Sequence, residues 1–163
     1  MDNKKILKNI IDAKRKSPYS ESKTIDQLRK ETEIAGSLIP LPENINYKSV
    51  VAGNVNAEWI TCGDVDENRI FMFMHGGGYY RGSIAATRAT VARISAEAKV
   101  KCLSINYRLA PEHPFPAAID DTYSAYEWLI NEGISREKII VSGQSAGGGL
   151  CLALLLKIKE KNI

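Results

Sequence analysis

The stretch Ile139-Ile140-Val141-Ser142-Gly143-Gln144-Ser145-Ala146-Gly147-Gly148 sets Gly-x-Ser-x-Gly between an apolar run of strand length and an apolar run of helix length. A strand that turns abruptly into a helix presents its central serine at the tip of a strained turn, and only residues without bulk two places either side, here Gly143 and Gly147, leave room for it. The helix that follows aims its first amides and the positive end of its dipole at the same spot, which favours negative charge there. Ser145 is therefore the candidate catalytic nucleophile. A tight turn that binds phosphate is the alternative, but the glycines fit neither Gly-x-Gly-x-x-Gly nor Gly-x-x-x-x-Gly-Lys.

A second cluster, His75-Gly76-Gly77-Gly78, directly follows the apolar run Ile70-Phe71-Met72-Phe73-Met74. Acyl transfer places negative charge on the former carbonyl oxygen, and a chain without β-carbons brings backbone amides within reach of it. Gly76, Gly77 and Gly78 form the expected oxyanion loop, with Gly77, Gly78 and Ala146 as the preferred donors. His75 stands at the root of this loop, where its imidazole is expected to hold the loop by hydrogen bonding rather than to act as the base. The other histidine, His113, lies in the proline-bounded turn Pro111-Glu112-His113-Pro114 and is expected to be structural or exposed.

Both motifs must sit at one end of one sheet, and the surrounding pattern provides for that. Ile6, Leu7, Ile10 and Ile11 predict a helix over residues 4–13, and Thr24 with Gln27 predicts a capping box at the start of another. Residues 35–46 contain Gly36, Pro40 and Pro42, which are expected to end that helix and make a connector. Residues 46–52 and 55–62 read as strands around the turn Gly53-Asn54. The run 70–74 reads as a strand covered on both faces. A helix over 83–99, a buried strand over 100–105 and a helix over 117–131, closed by Gly133, come next. A buried strand over 138–142 and an apolar helix over 146–161 complete the pattern. This alternation predicts an α/β fold with right-handed crossovers and its chemistry at the C-terminal ends of the strands.

With His75-Gly76-Gly77-Gly78, the stretch from Tyr107-Arg108-Leu109-Ala110 through Pro111-Glu112-His113-Pro114 to Phe115-Pro116-Ala117-Ala118, and Gly143-Gln144-Ser145-Ala146-Gly147-Gly148, the chain resembles the hormone-sensitive-lipase-like family of α/β-hydrolases, the bacterial family IV esterases. The resemblance runs from about Val55 to the C-terminus. Ala57-Glu58-Trp59 makes it look most like the monoterpene ε-lactone hydrolase members. The resemblance implies an α/β-hydrolase fold with a truncated, mainly parallel sheet and flanking helices. It implies a helical cap segment over residues 1–40 and the N-terminal half of the hydrolase domain over 41–163. It also implies Ser145 as nucleophile, the glycine loop as oxyanion hole, and Tyr107, Arg108 and Glu112 as structural, with Arg108 and Glu112 expected to pair. Tyr79 and Tyr80 either line the pocket entrance or pack under the cap. Gln144 stands where the family usually has Asp, which keeps hydrogen bonding beside the nucleophile but removes a charge.

In such a fold the triad acid and histidine follow the serine in the chain. No His follows Ser145, and Glu160 is the only later acid. The expectation is an incomplete carboxylic-ester or lactone hydrolase, nearly inactive alone, with a non-catalytic small-ligand-binding protein or a fragment needing a complementary chain as the alternative. The strand over 138–142 should then be an unprotected apolar edge that invites self-association.

Composition narrows the remaining classes. The 163 residues are 44% apolar and 25% charged, with a net charge of +3, so one ordinary folded domain is expected. The basic cluster Lys4, Lys5, Lys8, Lys14, Arg15 and Lys16 has no interleaved aromatics and reads as a solvated helix face, not a nucleic-acid site. No segment approaches the roughly 20 apolar residues of a membrane span. Cys62, Cys102 and Cys151 are odd in number and lie among apolar residues, which argues against a disulfide framework or a metal site. A cytoplasmic protein without metal or organic cofactor is expected.

Overall fold

The computed structural model describes residues 7–9, 11, 12 and 23–161. Residues 7–9, 11 and 12 are helical, in keeping with the helix expected over 4–13, and Lys8 is exposed. The other residues of 4–13 and the rest of the basic cluster lie outside the described residues.

Helix α1 (Ile25–Ser37) begins at the expected capping box: the Thr24 hydroxyl accepts from the Gln27 amide at 3.3 Å, and the Gln27 side chain accepts from the Thr24 amide at 2.8 Å. The helix does not stop before Gly36, as its glycine suggested. Gly36 lies inside the last turn, where a β-carbon would collide with the backbone of Ala86. The glycine is there for a close helix crossing, and it does not break the helix.

Strands β1 (Ile45–Ala52) and β2 (Val55–Cys62) form the expected hairpin, with Ala52 opposite Val55. Gly53, at φ 68°, takes the first central position of the two-residue turn, where the twist of the strands demands positive φ. Next come β3 (Asp66–Met74), α2 (Ile84–Ala98), β4 (Val100–Ile105), α3 (Ala117–Asn131), β5 (Ile139–Gly143) and α4 (Ala146–Glu160). A 3-10 turn over Arg136–Lys138 leads into β5, so that strand starts and ends one residue later than expected.

The sheet order is β1-β2-β4-β3-β5. β2 runs antiparallel to both β1 and β4, while β3 is parallel to β4 and to β5. Every strand except β2 therefore points the same way, which is the mainly parallel sheet expected. Met72, Met74, Leu103 and Ile105 belong to a core cluster on one face with residues of α3 and α4. Phe73, Cys102 and Ile60 meet Val91 and Ala92 of α2 on the other. Side chains of β3 thus enter both clusters, which is why its run shows no alternation.

The register fixes what matters for chemistry. Met74 at the end of β3 is opposite Gly143 at the end of β5. His75 and Gln144 consequently leave the sheet side by side.

Candidate active site

At the end of β5 the backbone folds back sharply: Ser145 has φ 53° and ψ −115° and is exposed, and α4 begins at the next residue. Such a conformation in a non-glycine residue costs on the order of 1–3 kcal/mol and persists only where the surroundings enforce it. They do so here. The Gln144 amide donates to the Met74 carbonyl at 3.2 Å, and the Gly147 amide donates to the Gln144 carbonyl at 2.9 Å. A β-carbon on Gly143 would collide with the Gly147 carbonyl, and one on Gly147 with the Met74 carbonyl. The two glycines are thus required by contact between the turn and the end of β3.

The glycine loop is held from below. The His75 ring is buried, stacks on Tyr107 with centroids 4.3 Å apart and planes 15° apart, and donates from Nδ1 to the Gly76 carbonyl at 2.9 Å. The Tyr107 hydroxyl donates to the His75 carbonyl at 2.7 Å. Burial lowers the His75 pKa below its ordinary value, so the ring is neutral near pH 7. The ring does not line the cavity that contains Ser145. Gly77 and Gly78 adopt φ 125° and φ 63°. A β-carbon on Gly77 would strike the Arg81 carbonyl.

Among the described residues, the amides of Gly77, Gly78 and Ala146 donate to no protein acceptor outside the regular elements. Ser145, Gln144, Gly76 and Gly77 line one cavity of about 470 Å³, together with Thr32 and Ala35 of α1. Gly78 faces a neighbouring cavity of about 460 Å³ with Tyr79 and Gly149. Ala146 lines neither and is buried directly after the serine.

Three side chains differ from or add to the sequence reading. Arg108 does not pair with Glu112; it forms a forked contact with Asp121 of α3, at 2.9 Å from Nε and 2.7 Å from Nη2. Glu112 instead pairs with Arg29 of α1 at 2.8 and 2.7 Å. The same Arg29 donates to the carbonyls of Tyr80 and Ala110 at 2.8 and 3.0 Å, pinning α1 to the loop beside the cavity. Nothing local marks Arg29, since its partners are 51 to 83 residues away. Tyr79 is exposed and lines the second cavity, while the Tyr80 backbone carbonyl is one of the anchors of α1; neither tyrosine lines the cavity that contains Ser145. His113 is exposed.

Among the described residues no group of three His, Cys, Asp or Glu is placed to hold a metal ion. The three cysteines are free, and burial pushes the Cys102 thiol up to about 12, so it is no thiolate nucleophile. No helix among the described residues is long and apolar enough to cross a membrane.

A family model described as the alpha/beta hydrolase fold matches residues 71–163. The chain belongs to that family. Within it, the chain is 32% identical over 124 residues to an esterase of Acinetobacter venetianus, covering 76% of this chain and 41% of the relative. A crystal structure of an esterase from the bacterial hormone-sensitive lipase family superposes with a TM-score of 0.86 at 36% identity, over 94% of this chain and 52% of that one. A hormone-sensitive lipase from a metagenome library gives a TM-score of 0.89 at 32% identity, over 100% and 54%. This hydrolase-fold chain thus spans about two fifths of the curated esterase and about half of the solved chains.

Proposed function

We propose that this chain provides the nucleophile and oxyanion side of a carboxylic-ester hydrolase that works through an acyl-enzyme on Ser145. The observation that carries the reading is Ser145, held exposed at φ 53° in one cavity with Gly76 and Gly77, in a turn where the Gly77, Gly78 and Ala146 amides donate to no protein acceptor among the described residues. In the reaction, Ser145 Oγ attacks the ester carbonyl and the oxygen takes up negative charge opposite the amides of Gly77, Gly78 and Ala146. The alcohol leaves, and water then releases the acid from the serine. Preorganised donors of this kind are worth about 3 kcal/mol each in barrier stabilisation. His75 supports the loop through its bond to the Gly76 carbonyl. A lactone is a cyclic ester and undergoes the same attack.

Removal of the Ser145 proton requires a base. His75 is buried, neutral and committed to Gly76, and no His follows Ser145 in these 163 residues. The acid and base of the reading come from sequence downstream or from a complementary chain, with residues 1–40 serving as the cap. The 163 residues alone then turn over roughly a million-fold more slowly than a complete site. A second reading is retention of a small ester or acid without turnover in the cavity of about 470 Å³ that Ser145 lines.

A short-chain nitrophenyl ester distinguishes these. A chain extended through a downstream half should show hydrolysis that Ser145→Ala abolishes. If extension brings no Ser145-dependent rate, the hydrolase reading fails and binding remains. The free thiols of Cys62, Cys102 and Cys151 fit a reducing, cytoplasmic setting for this activity.

A further inference from the structure

The Ser145 cavity contains two charged side chains, Arg81 and Glu31. Glu31 is already paired with Lys23 at 2.6 Å. Arg81, among the described residues, makes no ion pair and donates no side-chain hydrogen bond; its guanidinium rests 5.5 Å from the centroid of the Tyr80 ring. Its place is fixed by the glycine loop itself. The Arg81 amide donates to the Gly77 carbonyl at 3.2 Å, and its Cγ lies 3.0 Å from where a β-carbon on Gly77 would stand. The methylene stem therefore runs beside Gly77 on the wall of the cavity, with the guanidinium over the Tyr80 ring and, among the described residues, no protein anion paired with it. Ala35, Ile39 and Ala86 give the same cavity an apolar wall.

We infer that Arg81 determines substrate specificity by pairing with a negatively charged group on the ester, a carboxylate joined to the reacting carbonyl by a short methylene chain. A guanidinium offers a carboxylate two parallel donors, which adds geometric specificity to the attraction of opposite charges. The spacer lies along the apolar wall while the carbonyl faces Ser145. This rests on the assignment of the Ser145 cavity as the substrate site, but not on turnover.

The test is a binding titration of the 163-residue chain, followed through the backbone amide resonances of Gly76, Gly77 and Ser145. Monomethyl glutarate is the anionic probe, and the methyl ester of glutaric monoamide is its uncharged match. The expected result is binding at least about tenfold tighter for the anion. That ratio should fall to about one in Arg81→Gln, survive in part in Arg81→Lys, and shrink as salt is raised. Ser145→Ala should leave the ratio unchanged, so a failure of the hydrolase reading does not alter the outcome. Equal affinity for the two probes in the unmodified chain overturns the inference. So does a preference that Arg81→Gln leaves intact in a spectrum showing a folded chain, or perturbation confined to residues away from the cavity.

Discussion

Ser145 and His75 are neighbours in space with opposite requirements: one is kept exposed in a strained conformation, the other is kept buried and uncharged. The pH dependence of stability follows from the second. The unfolded imidazole titrates near 6.5, and burial depresses the folded value below that. The unfolded chain therefore binds more protons than the folded one once the pH drops below about 6.5. The contribution of His75 is fully present above that pH and is lost as the pH falls through the folded value. Urea denaturation at pH 7.5 and at pH 5.5 should show the chain less stable at the lower pH, with the difference reduced in His75→Gln. An unchanged difference in that variant would place the titration elsewhere. At this scale the sharp turn at Ser145 and the two glycines it needs were legible from spacing alone, because so few residue types fit such a turn. The stacking of His75 on Tyr107 was not, since it joins side chains 32 residues apart.

Elements whose boundaries are marked by glycine, proline or an unbroken apolar run were read closely: β2, β4 and α3 occupy the expected residues. Polar starts were missed. β3 begins at Asp66, but Asp66-Glu67-Asn68-Arg69 carries no strand pattern, is exposed, and joins β4 through a register shift before Ile70. The pairing of Arg108 was misjudged for a related reason. Helix α3 brings Asp121 back to it, a contact set by tertiary structure that outweighs the four-residue separation from Glu112. Glu112 is thereby released to hold α1. Its carboxyl is drawn down to about 2 by the Arg29 hydrogen bonds and charge. A depressed carboxylate contributes above its ordinary value of 4.5, and the contribution is lost as the pH falls toward about 2. Hydrogen exchange should accordingly show α1 opening more readily in Arg29→Ala than in the unmodified chain, while β3 and β4 keep their protection. Glu112→Gln should do the same to a smaller extent, because the two carbonyl acceptors remain. Equal protection of α1 in all three chains would mean that packing of Gly36 on Ala86, not the arginine, holds the helix in place.

Among the described residues the sheet ends on one side at β1 of the β1-β2 hairpin and on the other at β5, which leads directly into the candidate nucleophile. Among the described residues β5 has one strand partner, and Ile140 is 54% exposed. Leu152, Leu155 and Leu156 of α4 are exposed on the helix that follows. An apolar edge next to an apolar helix face leaves backbone donors and acceptors and hydrocarbon surface open together, the combination most prone to pairing with another chain. We propose that the 163-residue polypeptide self-associates through β5. Sedimentation at tens of micromolar should find dimers or larger species, and Ile140→Lys should shift the population toward monomer, because a lysine at an edge penalises strand pairing without disturbing β3 on the other side. Leu152→Lys separates the strand from the helix face: if it disperses the assembly and Ile140→Lys does not, association runs through α4 instead. A single monomeric species in the unmodified chain would refute the proposal. It would also mean that the strain at Ser145 is maintained by β3 and α4 alone, through the Met74 and Gly147 contacts that already fix the turn.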